Sequence, residues 1–111
     1  MNKITLPESD YLTIEKDGRT YYCCILRQKV RHTIGLDDAT WRTLYKRNGK
    51  TYFKLTRNYF NGKDEELEKL VDAGYMQSRR CGCEKESTEY FFTGKGLDWI
   101  EEQLNITIRG K

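Results

Sequence analysis

An α+β fold in a single small domain is what the sequence predicts, because strand-like alternation and helix-like spacing occur in separate blocks rather than in a repeating βα register. Turn pairs divide the strand-like blocks at Asp17-Gly18 and, in one reading, at Asn48-Gly49; Asp64 and Thr93 stand before helix-like blocks, and Gly35 and Gly74 after them. A chain of 111 residues, 37% hydrophobic and 33% charged with a single proline, has the composition of a globular protein. At this length a domain buries roughly two-thirds of its unfolded surface, so residues 1–111 suffice for one core, with 1–10 and 105–111 expected as frayed termini.

The elements follow in order. Residues 11–16 and 19–22 flank Asp17-Gly18, a pair that readily supplies the positive φ angles of a tight hairpin turn. Tyr22, Ile25, Leu26, Val30 and Ile34 then fall near helical spacing and predict a helix over residues 22–34, closed by Gly35. Two readings fit residues 38–49. Asp37-Asp38 could cap a short helix through Trp41 and Leu44, or Asn48-Gly49 could turn a second hairpin. In the hairpin, Leu44, Phe53 and Leu55 share one face while Tyr45, Arg47, Lys50, Tyr52 and Lys54 share the other, because strand side chains alternate with period two. Beyond Gly62, Asp64 is a good N-cap for a helix whose stripe is Leu67, Leu70 and Val71, ending at Gly74. Residues 75–80 and 87–93 pair as strands around a polar tip, and Thr93 caps a closing helix with Leu97, Ile100 and Leu104 on its apolar face.

The formal net charge of +3 conceals an uneven distribution: residues 1–62 hold twelve Lys and Arg against six Asp and Glu, whereas residues 63–111 hold eight against eleven. Arg42, Lys46, Arg47, Lys50, Lys54 and Arg57 occur with no acid among them. Cations neutralise phosphates and aromatic rings stack on unpaired bases, so these six, with Tyr45 and Tyr52, are the candidate residues for contact with DNA or RNA. The alternative is a protein partner, a host or phage protein or a second copy in a homodimer, held by the acidic positions Glu65, Glu66, Glu68 and Asp72 or by the aromatic hairpin.

Leu70, Gly74, Tyr75, Thr93, Lys95, Gly96, Trp99 and Ile100 give residues 56–104 a rhythm that resembles the second half of winged-helix domains. The resemblance implies a helix, β-hairpin, helix order and a helix-turn-helix pair made of a short helix near residues 56–61 and the helix over 64–73, the latter placed in the DNA major groove. Its acidic positions oppose that role, since a row of carboxylates repels a polyanion. The hairpin tip mixes Arg79, Arg80 and Lys85 with Glu84, Glu86 and Glu89 and so is not strongly cationic. The whole chain, through residues 31–36, 46–50 and 57–60, also resembles small uncharacterised bacteriophage and prophage proteins, which implies a mobile-element origin and no catalytic residues.

Four cysteines and one histidine raise a metal site built on Cys81 and Cys83 with Cys23, Cys24 or His32. Adjacent cysteines in an apolar run fit a core better than paired zinc ligands, so no metal and no cofactor is expected. His32 has no signature nucleophile or acid to serve, and Gly94-Lys95-Gly96 lacks the rest of a phosphate loop. The protein is therefore expected to be a non-enzymatic binding protein with no catalytic residues. No apolar run approaches the length of a membrane span, and Met1 to Glu8 lacks a signal-peptide block, so a cytoplasmic setting without membrane partners is expected.

Overall fold

Residues 4–81 and 87–110 are described by the computed structural model. Asp17 and Gly18 both take positive φ, 55° and 73°, and join β1 (Tyr11–Lys16) to β2 (Arg19–Cys24) as a two-stranded antiparallel hairpin whose residues are all exposed. The helix expected over 22–34 starts later, as α1 (Leu26–Ile34), because Tyr22, Cys23 and Cys24 complete the ladder opposite Thr13, Leu12 and Tyr11. Both of these cysteines are exposed, so the expectation that one or both belong to the core is corrected. The buried stripe of α1 is Leu26, Val30, Thr33 and Ile34, and Gly35 ends it in the left-handed conformation. A Cβ at Gly35 would also sit 2.0 Å from Thr56 Oγ1, so the cap and a close chain approach select the same residue.

After a 3-10 turn at Leu36–Asp38, residues 38–49 resolve to the hairpin alternative. Thr40 and Thr43 bind each other: the Thr40 N–H donates to Thr43 Oγ1 at 2.9 Å, and the Leu44 N–H donates to the Thr40 carbonyl at 2.8 Å. That closed turn feeds β3 (Leu44–Arg47), and Asn48-Gly49 at φ 52° and 77° reverses the chain into β4 (Lys50–Lys54). Residues 105–111, expected as a frayed end, instead supply β8 (Thr107–Arg109), paired parallel to β4 with Ile108 buried beside Phe53. The alternation Ile106, Thr107, Ile108, Arg109 drives this, since burying Ile108 requires the strand register. At the other terminus, Leu6 is buried and its N–H donates to Gln103 Oε1 at 2.8 Å.

The remaining elements are β5 (Phe60–Asn61), α2 (Glu65–Asp72), β6 (Met76–Cys81), β7 (Ser87–Phe92) and α3 (Gly94–Leu104), with sheet order β5-β7-β6. Helix, hairpin and helix thus follow one another as expected, but the short helix near residues 56–61 does not form. The Tyr59 N–H donates to the Thr33 carbonyl at 3.1 Å, and Asn58 clamps the backbone of Phe92 with both ends of its amide, at 2.7 and 3.0 Å. Those bonds hold the segment extended until Phe60 and Asn61 pair with Tyr90 and Glu89.

Asp64 caps α2 by accepting from the Glu66 and Leu67 N–H groups, and Thr93 caps α3 by accepting from Gly96. Helix α3 contacts β7 in one three-stranded sheet and β8 in the other, which ties the sheets to one contiguous core. Val30, Ile34, Phe53, Leu67, Leu70, Tyr90 and Ile100 are its most buried members. Trp99 stacks on Tyr75 at 4.8 Å and donates its indole N–H to the Ile4 carbonyl at 2.9 Å, satisfying the one polar atom that burial would otherwise strand. No helix among the described residues is long and apolar enough to cross a membrane.

Candidate nucleic-acid interface

The β3–β4–β8 sheet has an inner and an outer face, and its register decides which candidate residues meet. Leu44 opposes Phe53, which in turn pairs with Ile108, so these three face the core. The opposite face carries Tyr45 across from Tyr52, Arg47 across from Lys50, and Lys54 beside Arg109. Five of the eight candidates, Tyr45, Arg47, Lys50, Tyr52 and Lys54, therefore share one surface. Tyr45 and Tyr52 stack at 5.5 Å with an interplanar angle of 21°. Arg109 lies over the Tyr52 ring at 5.7 Å and donates to the Tyr45 hydroxyl at 3.2 Å. That hydrogen bond, reinforced by the neighbouring phenols, shifts Arg109 above its ordinary range.

Arg42 precedes β3, yet it joins the same surface: with Tyr45, Lys54, Arg109 and Gly110 it lines a cleft of about 290 Å³. Its guanidinium stands 5.0 Å from the Trp41 ring centroid, and Trp41 is 79% exposed. Lys46 opposes Thr51 and so takes the Leu44–Phe53 side of the sheet; it is exposed but turned away from the cluster. Arg57 is elsewhere altogether. Its Nε donates to the His32 carbonyl at 2.8 Å, Nη1 to Asp38 at 3.2 Å and Nη2 to Asp37 at 3.0 Å, which closes the end of α1 against the 3-10 turn. His32 Nδ1 lies 2.7 Å from Asp37 Oδ2 and 3.2 Å from Arg57 Nη2, inside the same cluster.

The acidic alternative divides in the same way. Lys29 Nζ bridges Asp64 at 2.7 Å and Glu66 at 2.8 Å. Burial acts to lower the Lys29 pKa, but its two carboxylate partners more than offset that and hold it above the ordinary lysine value. Glu68 accepts from the Tyr90 hydroxyl at 2.7 Å, and the same hydroxyl accepts from the Asp64 N–H at 3.1 Å. Burial, together with the Glu68 carboxylate, pushes the Tyr90 phenol up. Only Glu65 and Asp72 of the four acidic candidates stay exposed on α2. On the adjoining hairpin, Arg79 and Glu89 pair across the strands at 2.9 Å.

Among the described residues no group of three His, Cys, Asp or Glu side chains could hold a metal ion. Cys83 and the tip residues Glu84, Lys85 and Glu86 lie outside the described residues. Two members of the surface escape the sequence reading: Arg109, placed in a frayed end although the alternation around Ile108 marks a strand, and Trp41, named only in the helix alternative for residues 38–49. No family model, curated protein or solved structure matches the chain.

Proposed function

We propose that the chain is a non-enzymatic binding protein whose outer β3–β4–β8 face contacts nucleic acid. The observation that carries this reading is the gathering of Arg47, Lys50, Lys54 and Arg109 around a stacked tyrosine pair, with no carboxylate within ion-pair distance of any of them among the described residues. Phosphates are the anions such a surface neutralises best, and most of the affinity would come from releasing their counterions. Titration of DNA and RNA at two salt concentrations tests it. Affinity is expected to fall steeply with salt, and the combined Arg47→Gln, Lys50→Gln and Lys54→Gln variant is expected to bind more weakly with a flatter slope. Absence of binding at low salt refutes the reading.

A protein partner is the second reading, favoured by the β1–β2 hairpin. Tyr11, Leu12, Ile14, Tyr21 and Tyr22 are all exposed there, on a two-stranded element with no third strand beside it among the described residues. Sedimentation at rising concentration tests the homodimer form of this reading, which a monomer throughout removes.

A further inference from the structure

We infer that the cleft between Arg42, Lys54 and Arg109 seats a backbone phosphate of a single-stranded nucleic acid and that Trp41 stacks on an adjoining unpaired base, an inference that rests on the nucleic-acid reading above. Three separate segments supply the cations: the turn before β3, the end of β4, and β8. None of the three makes an ion pair among the described residues, although six other Arg, Lys and His side chains do: Arg27, Lys29, Arg31, His32, Arg57 and Arg79. Like charges held together without a counter-charge repel one another, and an anion in the cleft relieves all three at once. The cleft measures about 290 Å³. One water occupies about 30 Å³ of the liquid, so a phosphodiester group fits.

The aromatic rings decide between a duplex and a single strand. Tyr52 has Tyr45 on it at 5.5 Å and Arg109 over it at 5.7 Å, so the expected base-stacking role of this pair is already taken up inside the protein. Trp41 is the open ring, 79% exposed and anchored through the Arg42 guanidinium that lines the cleft. A base reaches an indole face only when it is unpaired and unstacked. Arg42 therefore links the two halves of the subsite, one side of it toward the phosphate cleft and the other against the ring that takes the base.

The protein's two tryptophans make the test direct, because Trp99 is only 4% exposed and stacked on Tyr75, so a ligand on the surface quenches Trp41 and leaves Trp99 as an internal reference. An oligothymidylate of about twelve residues, within the usual site size, is titrated by tryptophan emission and, labelled, by anisotropy, with an oligouridylate arm to separate DNA from RNA. Quenching of Trp41 is expected with single strands and not with a duplex of the same length. Trp41→Leu is expected to weaken binding roughly five- to hundred-fold with the salt slope unchanged, the loss of one stacked base. Lys54→Gln and Arg109→Gln are each expected to flatten the slope by about 0.7, one phosphate contact on a single strand. Salt-dependent anisotropy that none of these three variants alters, or a duplex bound as tightly as the single strand, overturns the subsite while leaving the nucleic-acid reading in place. No binding of any oligonucleotide at low salt overturns both.

Discussion

Helix α2 and the outer face of β3–β4–β8 look like mirror images in the sequence, one a row of acids and the other a row of bases, but the protein uses them in opposite ways. On α2 the carboxylates of Asp64, Glu66 and Glu68 are bound by Lys29 and Tyr90, groups from α1 and β7. On the sheet, Lys50, Lys54 and Arg47 have no such partner among the described residues, and Arg109 binds only a phenol and a ring face. A charge answered from within belongs to the fold, whereas a charge left unanswered is free for something outside it. Most of α2's acidity is therefore structural, and the sheet is the surface with chemistry to spare.

The largest expected effect comes from breaking the first side of this contrast. Lys29 and Asp64 side chains are 18% and 14% exposed, so Lys29→Met leaves the Asp64 carboxylate in a mostly dry site with only its backbone N–H donors and takes the cation from the more exposed Glu66. Loss of about 2 kcal/mol is expected in urea denaturation, below the range for a fully buried pair because water still reaches this one. Tyr90→Phe removes a hydroxyl that both accepts from Asp64 and donates to Glu68, and is expected to cost about 1–3 kcal/mol. Neither change should alter nucleic-acid affinity measured at a temperature where the variant is folded. Unchanged stability in both variants would show that α2's acids are not held as described.

Lys29 and Tyr90 also give this region a pH signature. Both groups have folded-state pKa values above their unfolded ones, so the native state binds these protons more tightly. Their contribution is complete below the unfolded values near about 10 and is lost as pH rises through the folded ones. Stability is thus expected to fall on the alkaline side, and Lys29→Met should make that fall shallower. A urea midpoint equally steep in pH for the variant and the parent would refute the lysine's part in it.

Next in size is Arg57, which the sequence groups with the sheet cations and the fold groups with α2's internal pairs. Arg57→Ala removes hydrogen bonds to the His32 carbonyl, Asp37 and Asp38 and is expected to lower stability by about 1 kcal/mol, discounted because Asp38 is exposed. The salt slope of nucleic-acid binding should not move. A flattened slope with unchanged stability would return Arg57 to the proposed binding surface.

How much of this was legible follows from the range of the signals. Local ones read well: Asp64 and Thr93 cap the helices they precede, and the period-two alternation of 44–54 places Tyr45, Arg47, Lys50, Tyr52 and Lys54 on one face as the hairpin alternative requires. The α+β class follows from those same signals. What failed depended on partners distant in sequence. Asn58 pairs with Phe92, which overrides a helix at 56–61, and β8 exists because its Ile108 meets Phe53. Arg109 could join Lys54 only through that strand. Trp41 reads as core by composition and is exposed because the Thr40–Thr43 turn ends the segment before any helix can bury it. The winged-helix and phage resemblances rest on short rhythms, and such rhythms carry no information about which charges are answered.

The smallest effect on stability is expected where the contrast is sharpest. Lys50 is exposed at the start of β4, opposite Arg47, and neither has a carboxylate partner among the described residues. Like charges directly across a strand pair destabilise it slightly, so Lys50→Gln should leave stability within about 0.5 kcal/mol of the parent, and any change should be a gain. The same substitution is expected to weaken nucleic-acid binding and flatten its salt slope. Lys29→Met and Lys50→Gln each delete one positive charge, so a difference in net charge cannot explain opposite outcomes. If Lys50→Gln destabilised the fold without changing affinity, the sheet cations would be structural like those beside α2, and the distinction between answered and unanswered charge would fail.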